Sequence, residues 1–278
     1  MGMIKHLSVI NGSKISYLVN NPQIKPTVVA LHGLRGNSDA LIRFSERFKN
    51  HRVIMVDLPG HGKSEPLNIP HSVNNFALFL NSFVNELRLT NFFLWGHSYG
   101  ALIALQYASM EPKQLRKLIL VCPALFSHNM ENSIASVYYQ STFLLPHWLR
   151  RLWIANPLVE FIVKSLLIKN VSEKRRQELI HDGQRELKYL SPSVIAQAFL
   201  SYRTTNWQDR ARNIHIPTLI IAGQKDDVVP LTGIEKLHEL IGGSDLAVVK
   251  KQGHLAPVEV PEYIAQLTQS FILKSHEN

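Results

Sequence analysis

The chain of 278 residues has a single cysteine, Cys122, so no disulfide can form within it. It also lacks an apolar run long enough to span a bilayer, because Arg150 and Arg151 interrupt its most apolar segment, residues 143–154. The N-terminal residues contain no apolar core of the kind that a secretory signal peptide requires. Together these absences predict a cytoplasmic protein without an integral membrane segment.

Charged residues are comparatively few, at 18%, and apolar residues make up 45% of the chain. This balance is typical of a soluble globular protein. Lysine and arginine exceed the acids by 30 − 21 = 9, but the bases are scattered and no groove-reading motif accompanies them. We therefore expect no nucleic-acid partner. Histidines and acids show no spacing typical of metal ligands, so we expect neither a metal nor an organic cofactor.

Short apolar, β-branched runs alternate with helical patterns along most of the chain. This alternation predicts an α/β protein with a mostly parallel sheet and helices on both of its faces. The dipeptide Asn11-Gly12 separates the first two runs and predicts a hairpin there. Eight strands are expected, at residues 5–10, 14–19, 27–31, 52–56, 92–95, 118–121, 218–222 and 246–249.

The alternation stops between about residues 125 and 210. Helical patterns, including those at 158–168 and 172–190, follow one another there without a convincing strand. We therefore predict a core made of residues 1–124 and 211–278, with residues 125–210 inserted as an α-helical cap. An insertion after a sheet strand would cover the strand ends, where ligands bind in open α/β sheets.

Ser98 lies in the segment Gly96-His97-Ser98-Tyr99-Gly100, between a predicted strand and a helical pattern at 99–109. A G-x-S-x-G at a strand-to-helix turn is typical of a nucleophile elbow. The sharp turn exposes the serine hydroxyl beside a helix N-terminus, and it leaves no room for a side chain at either glycine. We therefore predict Ser98 as a nucleophile.

A serine hydroxyl needs an adjacent base, and the base needs an acid that orients it. His254 follows the last predicted strand and precedes a helical pattern at 262–273, and the chain order serine, acid, histidine suits this kind of elbow. Two aspartates, Asp226 and Asp227, follow the strand at 218–222, and only one of them can face the histidine. We favour Asp226 and keep Asp227 as the alternative.

The segment His32-Gly33-Leu34 follows the strand at 27–31. A turn there can aim the Leu34 N–H at the oxyanion that develops during acyl transfer, together with the Tyr99 N–H at the start of the next helix. We expect these two backbone amides to form an oxyanion hole, and we expect His32 to lie beside the substrate.

With these motifs the chain resembles the α/β-hydrolase superfamily, in its branch of serine esterases and meta-cleavage-product hydrolases with a helical cap. The matching segments are His32-Gly33, residues 57–64, the elbow at Ser98, residues 223–230, Gly253-His254 and residues 259–262. The resemblance implies the eight-stranded α/β-hydrolase sheet with its inserted cap. It also implies that residues 57–64 are a structural loop in which His61 has no catalytic role, and that the acid stands at Asp226.

The leading hypothesis is hydrolysis of a carboxylic ester with an apolar acyl or aromatic group, through an acyl-enzyme on Ser98. The same residues would hydrolyse a thioester, a lactone or a carbon–carbon bond, and the sequence does not separate these reactions. A ligand-sensing module with slow turnover is the alternative outside enzymology. Gly100 disfavours it, because the elbows of such proteins commonly lack that glycine.

The cap sequence is rich in aromatic residues, and we expect Tyr139, Trp148 and Phe199 to contact the substrate. Between His147 and Lys188, nine bases stand against five acids. This local excess favours docking of an acidic partner, either a carrier protein or an anionic lipid surface. A resemblance to methyl ester esterases that act on an acyl-carrier protein agrees with the first of these, and a solvated face of mixed ion pairs is the plainer alternative.

Overall fold

The computed structural model describes residues 3–125 and 130–274, and its central feature is one sheet of eight strands. The strands are β1 (Ile4–Ile10), β2 (Ser13–Asn20), β3 (Thr27–Leu31), β4 (Arg52–Val56), β5 (Phe92–His97), β6 (Leu115–Val121), β7 (Thr218–Gly223) and β8 (Asp245–Val249). Their order across the sheet is β1-β2-β4-β3-β5-β6-β7-β8. The pairs β1–β2 and β2–β4 are antiparallel, and all the others are parallel. The predicted mostly parallel sheet is confirmed.

Helices cover both faces of this sheet and form the insertion. They are α1 (Ile42–Ser45), α2 (Val73–Glu86), α3 (Tyr99–Ala108), α4 (Met130–Ser141), α5 (His147–Ile154), α6 (Pro157–Leu167), α7 (Glu173–Glu186), α8 (Pro192–Thr204), α9 (Trp207–Arg212), α10 (Leu231–Leu240), α11 (Ala256–Glu259) and α12 (Pro261–Leu273). Short 3₁₀ turns occupy Ser38–Leu41, Thr142–Leu144 and Leu187–Tyr189. Within residues 3–125 and 130–274, none of these helices combines the length and the apolar composition that crossing a membrane would require.

Local sequence sets where several helices begin. Ser72 caps α2, because its side chain accepts the backbone N–H of Asn75. Asn156 caps α6 in the same way, and Pro157 follows at the first helical position, where a missing N–H costs nothing. Ser172 caps α7. The predicted helix at 172–190 therefore begins where expected, but its last turn is a 3₁₀ turn after residue 186.

The central strands of the sheet are buried on both faces. Successive side chains of a strand point to opposite faces, so each central strand contributes to two clusters of buried side chains. In β5, Phe92 and Leu94 pack with α2 and α3, whereas Phe93 and Trp95 pack with α1 and α12. This double burial explains why the central strands read as continuous apolar runs in the sequence.

The strand register brings several turns to one edge of the sheet. Leu31 of β3 pairs with Gly96 of β5, and His97 of β5 pairs with Val121 of β6. Val121 in turn pairs with Ile221 of β7. The turns that follow these parallel strands therefore meet at the edge where ligands bind in open α/β sheets.

The helices α4–α9 form an insertion, because the chain leaves the sheet after β6 and returns to it at β7. Several of them line a cavity over the strand ends, as expected for a cap. We propose residues 125–210 as the cap, and 1–124 with 211–278 as the two parts of the core. Helix α9 extends through residue 212 and packs against α3 and α10, so the return to the core begins within this helix.

Candidate active site

Ser98 stands at the tip of the turn between β5 and α3, with a φ of 53° and a ψ of −116°. A positive φ is uncommon for a residue with a side chain. A Cβ on Gly96 would lie 2.5 Å from the Gly100 carbonyl oxygen, and a Cβ on Gly100 would lie 2.5 Å from the His32 carbonyl oxygen. Both positions therefore require glycine, and the close packing around them holds Ser98 in a strained conformation.

Ser98, His254 and Asp226 form a continuous series of hydrogen bonds. Ser98 Oγ lies 2.7 Å from His254 Nε2, and His254 Nδ1 lies 2.9 Å from Asp226 Oδ2. The side chains of His254 and Asp226 are almost fully buried. The carboxylate accepts a hydrogen bond from the Nδ1–H group. The lone pair of Nε2 therefore faces the serine hydroxyl and can accept its proton.

Asp226 is held by its own turn as well as by His254. Its Oδ1 accepts the backbone N–H groups of Val228 and Val229, at 2.8 and 3.0 Å. Burial alone would raise the pKa of Asp226, but the contact with His254 and the two amide hydrogen bonds outweigh burial, and the pKa is lowered. The carboxyl group is therefore ionised at neutral pH.

Asp227 occupies a different environment, although it is the next residue in the chain. Its side chain is 69% exposed and forms an ion pair with Lys169, in the segment that links α6 to α7. The structure thus brings Asp226 to His254 and directs Asp227 to the cap. The turn geometry at 226–229 separates two candidates between which residue type alone could not decide.

Leu34 lies in the turn after β3, where His32 fixes the preceding peptide. His32 Nε2 accepts the Leu58 N–H at 3.0 Å, so its Nδ1 carries the proton and donates to the Gly33 carbonyl at 2.8 Å. This carbonyl and the Leu34 N–H belong to one trans peptide, so the N–H points to the opposite side. Tyr99 begins α3, where an N–H has no partner within the helix. Both residues line the cavity over the sheet edge.

His97, which the sequence did not single out, joins the elbow to the turn that carries His254. Its Nε2 donates to the His254 carbonyl oxygen at 2.9 Å, and the two rings lie 5.4 Å apart. Burial, together with the neighbouring imidazole, lowers the pKa of His97 to about 3, so its ring is neutral. Because 157 residues separate the two histidines, no local pattern could have indicated this contact.

A cavity of about 650 Å³ lies between the sheet edge and the cap, with Ser98 and His254 in its wall. Much of the wall is apolar and includes Leu34, Tyr139, Val163, Leu167, Phe199, Val228, Leu255 and Val258. Tyr139 and Phe199, both expected at the substrate, stack on each other with ring centroids 4.2 Å apart. The cavity is large enough for a ligand of drug-like size.

The two other residues expected at the substrate have different surroundings. His32 lines the cavity, but it is buried and both of its ring nitrogens bind backbone groups. Trp148 is 70% exposed on the outer face of α5, outside the cavity wall. Helix α5 instead buries Ile154. The helical spacing in the cap indicates which residues share a face, but it does not tell which face turns inward.

A family model of the α/β-hydrolase fold matches residues 26–261. The chain belongs to this family. Among curated relatives, lipase 3 of Moraxella sp. (strain TA144) is 26% identical over 96% of this chain and 84% of its own length. A monoacylglycerol lipase of Mus musculus is 26% identical over 92% of this chain and 78% of its own length. The family and these relatives describe the chain as a hydrolase of this fold.

Solved structures share the fold of this hydrolase. An esterase from Exiguobacterium antarcticum has a TM-score of 0.84 at 24% identity and covers 98% of this chain and 100% of its own. A membrane phospholipase A described as a bacterial virulence factor has a TM-score of 0.79 at 22% identity, covering 98% of this chain and 86% of its own. At these identities the likeness establishes the architecture alone.

Charged groups occupy one side of the hydrolase cavity, where Arg35, Glu160, Lys164 and Glu186 meet. Arg35 donates to Glu160 Oε2 from two guanidinium nitrogens, at 2.8 and 3.2 Å. Lys164 Nζ lies 4.0 Å from the other Glu160 oxygen. Burial raises the pKa of Glu186 to about 7; Lys164 opposes the rise and Glu160 adds to it. This side of the cavity can bind a polar group.

Arg35 also links the turn of Leu34 to the cap. It follows Leu34 directly, with a φ of 67°. Besides Glu160 of α6, its guanidinium reaches the Ile154 carbonyl at the end of α5, at 3.0 Å. Sequence reasoning missed this pair, because 125 residues separate Arg35 from Glu160 and neither belongs to a recognisable motif.

The loop after β4 is built as a structural element of the hydrolase. The Asp57 carboxylate accepts the N–H groups of Ser38 and Lys63, at 2.8 and 3.0 Å. His61 is fully buried and donates from Nδ1 to the Pro59 carbonyl at 3.1 Å. The side chains of Asp57 and His61 form these hydrogen bonds with backbone groups, in agreement with the structural role that the resemblance implies.

Cys122, at the end of β6, is buried and free of any disulfide. Burial raises the pKa of its thiol well above the ordinary value, and the nearby Asp226 adds to the rise. The neutral thiol packs with the side chains on the α1 and α12 face of the sheet. Cys122 therefore has a packing role.

Proposed function

We propose that the hydrolase cleaves carboxylic esters through an acyl-enzyme intermediate. The observation that carries the proposal is the series of hydrogen bonds from Ser98 Oγ through His254 to Asp226, with distances of 2.7 and 2.9 Å, in the wall of a largely apolar cavity. A nucleophile within hydrogen-bond distance of a base, which is itself oriented by an acid, is the arrangement that activates a serine hydroxyl.

In the acylation step, Ser98 Oγ attacks the ester carbonyl carbon while its proton passes to His254 Nε2. The electrons of the carbonyl π bond move to the oxygen, and the Leu34 and Tyr99 amides stabilise that oxyanion. Asp226 stabilises the imidazolium that has formed. When the tetrahedral intermediate collapses, His254 protonates the leaving alcohol oxygen, and the acyl group remains on Ser98.

In the deacylation step, a water molecule takes the place of the alcohol. His254 Nε2 removes a proton from this water, and the resulting hydroxide oxygen attacks the acyl carbon. Collapse of the second intermediate returns the proton to Ser98 Oγ and releases the carboxylic acid. Each oxyanion-hole amide contributes roughly 3–4 kcal/mol to such reactions in other enzymes.

The cavity supports an amphiphilic ester as the substrate. Its apolar wall, with Tyr139 and Phe199, suits an acyl chain, and its charged side, with Lys164 and Glu186, suits a polar alcohol or headgroup. Both curated relatives described above are called lipases, and one of them is a monoacylglycerol lipase. Thioesters and lactones fit the same chemistry and belong among the substrates to be compared.

The test is the initial rate of hydrolysis of p-nitrophenyl esters, from acetate to palmitate, by the wild-type chain and by Ser98→Ala. We expect multiple turnovers by the wild type and a rate that is lower by about 10⁴-fold or more in the variant, because removing such a nucleophile lowers kcat by at least this factor in other enzymes. The chain length with the highest rate measures how much of the cavity the acyl group fills.

The matched control is Ser109→Ala, at the C-terminal end of α3, where the hydroxyl donates to the Gln106 carbonyl. Its rate should equal that of the wild type. Turnover that survives in Ser98→Ala would overturn the acyl-enzyme. A single turnover in the wild type, with ligands that raise the melting temperature, would instead support a ligand-sensing protein.

A further inference from the structure

The outer surface of the cap carries a concentration of exposed apolar side chains. We call six of them the apolar strip: Leu144, Trp148, Leu152, Leu158, Phe161 and Ile162, with exposures from 47% to 85%. Leu144 ends the 3₁₀ turn before α5, and the other five residues follow α5 and α6, which only residues 155 and 156 separate. A single exposed apolar residue is ordinary, but a run along two consecutive helices marks an interaction surface.

Helix α6 connects this surface to the cavity, because its two faces differ. Its inner face lines the cavity with Glu160, Val163, Lys164 and Leu167. Its outer face presents Leu158, Phe161 and Ile162, which the helical spacing of three and four residues places side by side. The wall between the cavity and the α6 part of the strip is therefore one helix thick, and whatever binds that part lies next to the cavity.

Basic side chains accompany the strip and are not neutralised by acids. Within residues 3–125 and 130–274, Arg150, Arg151 and Lys188 form no ion pair with a carboxylate. Arg150 and Lys188 lie over the rings of Phe143 and Tyr189, at 5.9 and 4.8 Å. Arg151 donates to the Lys188 carbonyl at 2.7 Å, so these two cationic residues are adjacent.

We propose that the apolar strip docks the protein on the surface of an anionic lipid bilayer. Exposed tryptophan, phenylalanine and leucine beside arginine and lysine are the combination with which helices lie in a membrane interface. The apolar side chains enter the headgroup region, and Arg151 and Lys188 lie against lipid phosphates. The net charge of +9 adds long-range attraction to the same surface.

Bilayer docking accounts for both properties of this surface at once. An acidic carrier protein would match Arg151 and Lys188, but a charge match alone gives no role to Leu152 and Leu158, which are 66% and 64% exposed. Docking goes beyond ester hydrolysis and does not depend on it. It also gives a reason for the position of the cavity, since an ester with its acyl chain in the bilayer would lie against α6.

The experiment is flotation of the full chain, carrying Ser98→Ala so that no lipid is hydrolysed, with vesicles. One vesicle is pure phosphatidylcholine, and the other is an equal mixture of phosphatidylcholine and phosphatidylglycerol. We expect binding to the mixed vesicle, weakened by added salt. The double variant Leu152→Glu/Leu158→Glu should reduce the partition coefficient by about tenfold or more. Leu7→Glu, at a 63% exposed leucine on β1, is the matched control and should change it by less than about twofold.

The fold of the double variant is checked by placing the same substitutions in the Ser98 chain, where hydrolysis of soluble p-nitrophenyl butyrate should stay unchanged. If that activity is absent from the wild type as well, ester hydrolysis fails while flotation still tests docking, with circular dichroism as the measure of folding. Equal partitioning of the double variant and the wild type would overturn the proposal. So would a wild-type dimer that Leu152→Glu/Leu158→Glu dissociates, if neither vesicle is bound.

Discussion

The sheet edge and the outer surface of the cap use their side chains in opposite ways. At the sheet edge, polar side chains such as Asp226, His254 and His97 are buried and each is hydrogen-bonded. On the cap, large apolar side chains such as Trp148 and Leu152 are exposed to solvent. A buried polar network fixes positions, because each unsatisfied group would be destabilising. An exposed apolar surface does not stabilise the fold of its own chain. Its burial by a partner would release free energy that contributes to binding.

The largest expected effect comes from breaking the network at Asp226. Asp226→Asn should lower kcat by about 10⁴-fold, because an amide stabilises the wrong imidazole tautomer and cannot stabilise an imidazolium. The neighbouring substitution Asp227→Asn should change kcat by less than about threefold, since that carboxylate is exposed and paired with the cap. The measurement is the rate of ester hydrolysis by each variant, which distinguishes Asp226 from Asp227 as the acid that orients His254. Comparable losses in both would contradict the assignment of the acid.

The next effect concerns the ion pair at the boundary between the two regions. Glu160→Gln leaves the buried Arg35 guanidinium without its carboxylate and should lower the free energy of unfolding by about 3–5 kcal/mol. Urea denaturation measures this loss. The control is Glu262→Gln, which breaks the exposed pair with Arg47, at 2.9 Å against 2.8 Å for the buried pair, and should cost less than about 1 kcal/mol. A similar loss of stability in both variants would contradict the prediction that the buried Arg35–Glu160 pair is more costly to break than the exposed pair.

A smaller effect is expected on the pH dependence of the free energy of unfolding, because the core buries neutral histidines whereas His147 of the cap is exposed. Burial lowers the pKa of both His61 and His97 to about 3 in the folded chain, against about 6.5 in the unfolded chain. Below about pH 6.5 the unfolded state binds these two protons and the folded state does not, so stability falls as the pH falls. Each histidine should contribute about 1.4 kcal/mol per pH unit to this slope well below pH 6.5, and about half of that at about pH 6.5, where the unfolded histidine is half protonated.

Urea denaturation at about pH 7 and about pH 5.5 tests the slope in the wild type, in His61→Gln and in His147→Gln. His61→Gln should flatten the slope, because the unfolded chain then takes up one histidine proton fewer over this range. His147→Gln, at an exposed residue of the cap, should leave the slope unchanged. A wild type whose stability does not depend on pH in this range would contradict the neutral, buried state of both histidines.

The core of the fold was accessible to sequence reasoning because its signals are local. A parallel strand buried on both faces is a short apolar run, and the register of such strands then places the turns after β3, β5 and β7 together. Gly96, Gly100 and Ser98 could be interpreted for the same reason, since the elbow is defined by five consecutive residues.

The contacts that sequence reasoning missed are those between distant segments. The hydrogen bond from His97 to the His254 carbonyl and the pair of Arg35 with Glu160 join residues more than 100 positions apart. Trp148 illustrates a second limit. Its aromatic character indicated a contact, but whether that contact is with the cavity or with the surroundings depends on how α5 packs on the rest of the cap.

The strained turn at Ser98 has a consequence for how such a chain can change over generations. A φ of 53° with a ψ of −116° suits glycine better than serine, and strain of this kind is worth about 1–3 kcal/mol. Selection for thermal stability alone would therefore favour replacing Ser98 by glycine, and the proposed acyl-enzyme could then no longer form while the cavity remained.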